Sequence, residues 1–157
     1  MSQRDRGSSG ILQPGSAARR GDSGDEKVTD PVKALIAIFV VLQIKHFICD
    51  YPLQTLYHLR NKGTYFHPGG IVHSGIHALA TTSTFLVVTP TLVLGVSIVI
   101  GEFLLHYHID WTKEQIIRRR GWTAADREFW WAIGADQLCH HLTYVAIGAL
   151  LVGAWTV

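Results

Sequence analysis

Glu102, His106, Asp110 and Lys113 follow one another at steps of four, four and three residues. On a helix turning ~100° per residue these side chains lie within about 80° of one another. They follow a long apolar run that begins near Leu92. An acid, an imidazole, an acid and an amine on one stripe of such a helix must be buried against partners or a metal ion. Three more apolar segments carry polar pairs at the i, i+4 spacing: His46 and Asp50, His73 and His77, and Asp136 and His140. A His/His or His/carboxylate pair at that spacing can grip one ion from one helix face. Together His46, Asp50, His73, His77, His106, Asp110, Asp136 and His140 offer N and O ligands enough for one metal with supporting acids, or for two metals in a carboxylate/histidine bundle. Imidazole and carboxylate suit Zn, Mn or Fe.

The elements that must position these groups are apolar helices. Of 157 residues, 48% are hydrophobic and only 17% charged, against about 25% charged in ordinary soluble domains. Residues 1–30 are rich in Gly, Ser, Arg and Asp, too polar to offset their ordering entropy or to form the apolar stretch of a signal peptide, and are read as a disordered tail. Residues 31–157 are read as one membrane domain. Asp30-Pro31 marks a helix start, with Asp30 as N-cap, and the first helix is predicted from about Val32 into the fifties, with Pro52 kinking or ending it. Residues 58–70, with Gly63, Pro68, Gly69 and Gly70, are predicted as a loop. The second helix is predicted from about Ile71 to Val88. A short turn at Thr89-Pro90-Thr91 leads to the third, Thr91 to Arg118, as an antiparallel hairpin. Gly121 should end that helix beyond three arginines. Thr123 to Asp126 resembles a capping box for the fourth helix, Ala124 to Ala154. Tryptophans near both ends of the last helix fit an interfacial belt. The fold class expected is all-α, a four-helix polytopic transmembrane bundle, since a soluble helix would show a polar face that Leu86 to Ile100 lacks.

Antiparallel topology then places all four polar pairs at one depth, beneath the loops 58–70 and 114–125. A charged residue at mid-membrane costs about 2.5–3.5 kcal/mol on insertion scales and normally faces a bundle interior or a wet cavity. A divalent-metal centre is the leading reading. A proton or ion pathway, a bis-histidine haem site and a scaffold whose polar pairs only lock helices together are the alternatives. Glu102, one turn deeper than His106, is a candidate general base, ligand or supporting acid. His108 points away from His106 and is set aside, as are His58 and His67, for which exposure is the default. Gln54 and Gln137 are candidates for hydrogen bonds to the cluster. Cys49 and Cys139 form no CxxC motif and are read as small hydrophobes.

The elements His46-x-x-x-Asp50-Tyr51-x-Leu53-Gln54, His73-x-x-x-His77, His106-x-x-x-Asp110-Trp111-x-Lys113 and Asp136-Gln137-x-x-His140 resemble domain-of-unknown-function family 3307. That is a group of small bacterial and phage polytopic membrane proteins. The resemblance covers about residues 34–155. It implies the fold and membrane placement and carries no activity. A looser similarity, to membrane-bound metal-dependent hydrolases, is analogy.

The expected function is therefore that of an integral membrane protein whose His/Asp cluster holds a divalent metal and supports hydrolysis of a lipid-like or surface-accessible ester or phosphoester. The alternative is metal or proton handling without bond cleavage, or a scaffold. A net charge of +2, scattered along the chain, excludes a nucleic-acid partner. The lipid bilayer is the expected partner, and a bacterial inner membrane the expected location. Basic residues in the loops 58–70 and 112–127 place those loops and the site on the cytoplasmic side.

Overall fold

A computed structural model describes residues 30–155. The expected disordered tail lies, apart from Asp30, outside the described residues. The described chain is all-helical: α1 (Pro31–Asp50), α2 (Leu56–Asn61), α3 (Pro68–Thr81) running directly into a 3₁₀ segment (Thr82–Leu86), α4 (Leu92–Arg120) and α5 (Arg127–Trp155).

Local chemistry sets the boundaries. Asp30 caps α1, its Oδ1 accepting from the Val32 and Lys33 N–H groups at 2.9 and 3.4 Å. α1 stops at Asp50, ended as expected by Pro52, which has no N–H to continue the ladder. The segment expected to be wholly loop contains α2. His58 Nδ1 accepts from the Thr55 N–H at 3.3 Å, the reciprocal half of a capping box usually supplied by Glu or Gln. α3 begins three residues before its predicted start. Pro68 occupies the first helical position, where a missing N–H costs nothing, and His67 Nδ1 accepts from the Gly69 N–H at 3.1 Å. Gly121, at φ +67°, ends α4 and donates to the Arg118 and Ile117 carbonyls, as the cations and glycine predict. Before α5 the Thr123 N–H and hydroxyl donate to Asp126 Oδ2 at 2.7 and 2.9 Å. These bonds hold the Asp126 carboxyl below its usual range and delay the helix to Arg127.

α3 packs on α4, α4 on α5, α5 on α1 and α1 on α3, closing a ring. No Cα of α1 lies within 8 Å of one in α4. The half of the ring near the Val87–Thr91 turn is apolar, filled by Ala34, Ile38, Leu42, Val88, Ile98, Tyr144, Ile147 and Leu151. There a Cβ on Gly148 would meet the Leu35 and Phe39 side chains at 3.0 Å, so glycine lets α5 approach α1 without displacing them. The other half is polar. Among the described residues fifteen polar or charged residues are buried against eleven apolar ones, the reverse of a soluble core.

The outer surface is correspondingly greasy. Val32, Ile36, Val40, Ile44 and Ile48 stand exposed at steps of four along α1, and Leu138, Leu142 and Val145 stand exposed at steps of four and three on α5. α1, α4 and α5 are long and apolar enough to cross a membrane. Four such spans were expected. The second is instead the 14-residue α3 with its 3₁₀ extension, so three helices meet the criterion.

Candidate metal centre

α1 and α3 bring Asp50 and two histidines together. Asp50 Oδ1 lies 3.1 Å from His77 Nε2 and 3.4 Å from His73 Nε2. From α4, His106 Nε2 comes within 3.3 Å of His73 Nε2. One ligand atom each from Asp50, His73, His77 and His106 falls within a 4.8 Å cluster, and so do those of His106, Asp110 and His140. The imidazoles of His77, His106 and His140 form a column, with ring centroids 3.9 and 4.1 Å apart. All three residues are buried.

His73 Nε2 is the crowded point. Within 3.4 Å it meets Asp50 Oδ1, Asp110 Oδ2, His106 Nε2 and Gln54 Nε2. One ring N–H cannot serve all four. The spacing has a simple alternative meaning. Four ligands at ~2.0–2.1 Å from a tetrahedral Zn are about 3.3–3.4 Å from one another, close to the separations between His73 and Asp50 and between His73 and His106. His77 Nδ1, His106 Nδ1, Asp110 Oδ2 and Asp136 Oδ1 are buried and make no hydrogen bond. The donor set thus fits a divalent ion by chemistry, spacing and unspent polar capacity.

His46 and Asp136, named with these ligands from sequence, stand outside both ligand groups. His46 Nε2 faces Asp50 Oδ2 at 3.1 Å and Gln137 Oε1 at 2.9 Å. Both partners are acceptors, so Nε2 carries the proton and donates. Nδ1 then accepts from the Tyr144 hydroxyl at 2.7 Å. His46 orients Asp50 rather than offering a free nitrogen. Asp136 Oδ1 lies 3.7 Å from His140 Nε2, and its Oδ2 3.9 Å from Lys113 Nζ. Glu102 sits deeper, ion-paired with Lys45 of α1. Lys45 also donates to the His77 carbonyl at 3.0 Å, so this pair joins α1, α3 and α4 beneath the histidines.

Above the histidines a cleft of about 310 Å³ reaches the centre from the loop side, with Asp50, Asp110, Asp136, Lys62 and Lys113 among its walls. Lys62 Nζ lies 3.1 Å from Asp110 Oδ1 and Lys113 Nζ 3.6 Å from it.

A family model described as "Protein of unknown function (DUF3307)" matches residues 38–156. The chain belongs to the DUF3307 family. No curated protein and no solved structure matches it. In this DUF3307 chain the matched span holds every residue of the two ligand groups, together with Lys45, Lys62, Gln137 and Tyr144 around them.

Of those surrounding residues Gln137 was named from sequence, whereas Lys45, Lys62 and Tyr144 were missed. Tyr144 follows His140 by four residues, a signal available but weak. Lys45 is adjacent to His46 and reads as a helix-end cation until α4 places Glu102 opposite. Lys62 sat in a supposed loop. His58, assigned to solvent by default, is buried instead, because capping α2 turns its ring inward. His108 stays exposed, its ring hydrogen-bonded to the Leu104 carbonyl at 2.7 Å.

Proposed function

We propose that this chain is a membrane-embedded, metal-dependent hydrolase, with Asp50, His73, His77 and His106 as principal ligands and Asp110 and His140 completing or extending the site. The observation that carries the reading is the crowding at His73 Nε2, where three elements converge with too few protons for their polar atoms. A bound Zn, Mn or Fe ion would bring the pKa of a coordinated water toward neutrality and polarise an ester or phosphoester oxygen. The chain's own residues supply the rest. His46 and Tyr144 hold Asp50 in orientation, and the cleft gives water and substrate access. Asp136, whose Oδ1 makes no hydrogen bond and whose side chain lines the cleft, is the proton acceptor. Glu102, the acid named for that task from sequence, does not line the cleft and is engaged by Lys45, so it supports the floor.

The same reading has four crossings. Fourteen residues of α-helix and five of 3₁₀ helix reach ~31 Å, matching a ~30 Å hydrocarbon core, so α3 and its extension serve as the remaining span. Ion translocation is disfavoured. Beyond the centre the ring is apolar, and buried Thr81 and Thr84 spend their hydroxyls on the carbonyls of His77 and Thr81.

Elemental analysis of detergent-purified protein tests the proposal. Near-stoichiometric divalent metal is expected in the wild type, lost in His77→Ala and in Asp110→Ala. Well-folded wild type that stays metal-free after incubation with Zn or Mn overturns it, and points to a scaffold.

A further inference from the structure

A second cavity, of about 520 Å³, lies between the outer flanks of α4 and α5. Its walls are apolar, and Leu105, Ile116 and Trp131 among them are exposed on the membrane-facing surface. From Ile116 to Leu105 the groove follows α4 for roughly 16 Å, which suits an extended hydrocarbon chain. Two of its polar lining residues, Lys113 and Asp136, also line the cleft above the histidines. The groove and the cleft therefore share a wall, so a molecule lying in the first has its polar part beside the second. At the loop end the groove passes Trp122 and Glu128. Arg119, Arg120 and Arg127 stand exposed there. Arg127 lies 4.3 Å from the Trp131 ring centre and 3.6 Å from Glu128, which neutralises the one acid at the mouth. Exposed arginines at headgroup level attract anionic lipid.

We propose that the α4–α5 groove binds one acyl chain of an anionic glycerophospholipid taken from the surrounding bilayer. The phosphate lies at the arginine mouth and the ester-bearing part beside Lys113 and Asp136. The inference rests on the hydrolase reading for its purpose, since it names the substrate class of that centre, but on separate residues for its evidence. Entry is lateral, from within the membrane.

The test uses the full chain in vesicles of phosphatidylglycerol and phosphatidylethanolamine, with a trace of phosphatidylglycerol bearing a photoactivatable acyl chain. Adducts are mapped by mass spectrometry. They should concentrate on Leu105, Ile109 and Cys139, several-fold above Val96 and Ile100, which line an apolar groove near the opposite end of α4. Ala135→Trp fills the groove without replacing a centre residue and should reduce the adducts several-fold; Cys139→Phe serves the same purpose should the first variant fold poorly. The same photoactivatable chain on phosphatidylcholine should label the groove several-fold less. Adducts spread evenly over both grooves, or unchanged in both filled variants, overturn the chain site. Equal labelling by the two headgroups overturns the arginine mouth. Metal content measured on the same samples separates the two proposals. Metal without groove adducts overturns the groove alone, and groove adducts without metal overturn the hydrolase reading alone.

Discussion

Tyr144 governs the centre without any metal-binding chemistry of its own. Its hydroxyl donates to Nδ1 of His46 and braces the ring, and His46 in turn holds one oxygen of Asp50 while the other faces His77 and His73. Removing such an orienting partner typically costs 10–100-fold in metal affinity. Tyr144→Phe, which keeps the ring in its buried place, is expected to weaken Zn binding by roughly that factor in a chelator competition, with the stoichiometry at saturation unchanged. An unaltered affinity would show that this brace on His46 is immaterial. Lys45 and Glu102 pose a different question. Lys45→Met strands a carboxylate that is 2% exposed, and breaking a buried pair costs about 3–5 kcal/mol. Lys45→Met/Glu102→Leu removes both charges and should recover most of that loss. The comparison is made by thermal unfolding in detergent, and a double variant no more stable than the single one sinks the argument. Neither pair was legible in the chain, because each joins residues 57 or 98 positions apart and nothing in periodicity specifies which helices become neighbours.

Gly70 shows how an element is positioned by what it lacks. A Cβ there would approach Tyr107 Cε2 to 3.1 Å and the Lys62 Cα to 3.4 Å, so the first turn of α3 can lie against α2 and α4 only without a side chain. Gly70→Val should force α2 outward at a cost of about 1–3 kcal/mol, carrying Lys62 away from Asp110. The expected readouts are a lower unfolding temperature and a weaker metal site with every ligand still present. Retention of wild-type affinity would mean that α2 is incidental to the centre. The same element marks the limit of what sequence could reveal. The three longest helices, with the start of α1 and both ends of α4, were legible because Asp30-Pro31, Thr91 and Gly121 use ordinary capping chemistry. The histidine and carboxylate spacing was legible because i, i+4 pairs must share a face. α2 was not, since it is too short for a periodic signal and is capped by a histidine. Pro68-Gly69-Gly70 carries the composition of a breaker, yet proline suits a helix's first turn and the glycines answer a packing need that only the assembled neighbours define.

At the scale of the whole molecule the arrangement is inverted, with histidines, lysines and carboxylates inside and an apolar surface outside. A soluble chain cannot keep so much greasy surface in water, whereas a bilayer supplies the matching solvent. Orientation then follows from the charge present while the chain inserts. Lys62 and Lys113 end up buried, but insertion precedes that burial, so they count with Arg60, Arg118, Arg119, Arg120 and Arg127. Against them the chain before α1 and in its first turn has Arg19, Arg20, Lys27 and Lys33, and the Val87–Thr91 turn has no basic residue. From this bias we propose that the loops and the centre face the cytoplasm. Single cysteines test this and the fourth crossing together. In a Cys49→Ser/Cys139→Ala background, Thr64→Cys, Thr89→Cys and Thr123→Cys each replace an exposed residue. A membrane-impermeant maleimide added to intact spheroplasts should label only the position at Thr89, and should reach the other two once the membrane is opened. The mirror pattern would reverse the orientation and leave the centre facing outward. Equal labelling at 64 and 89 would mean that α3 with its 3₁₀ extension does not cross, which removes one wall of the ring from the bilayer and with it the shielding that makes so many buried charges worth their desolvation.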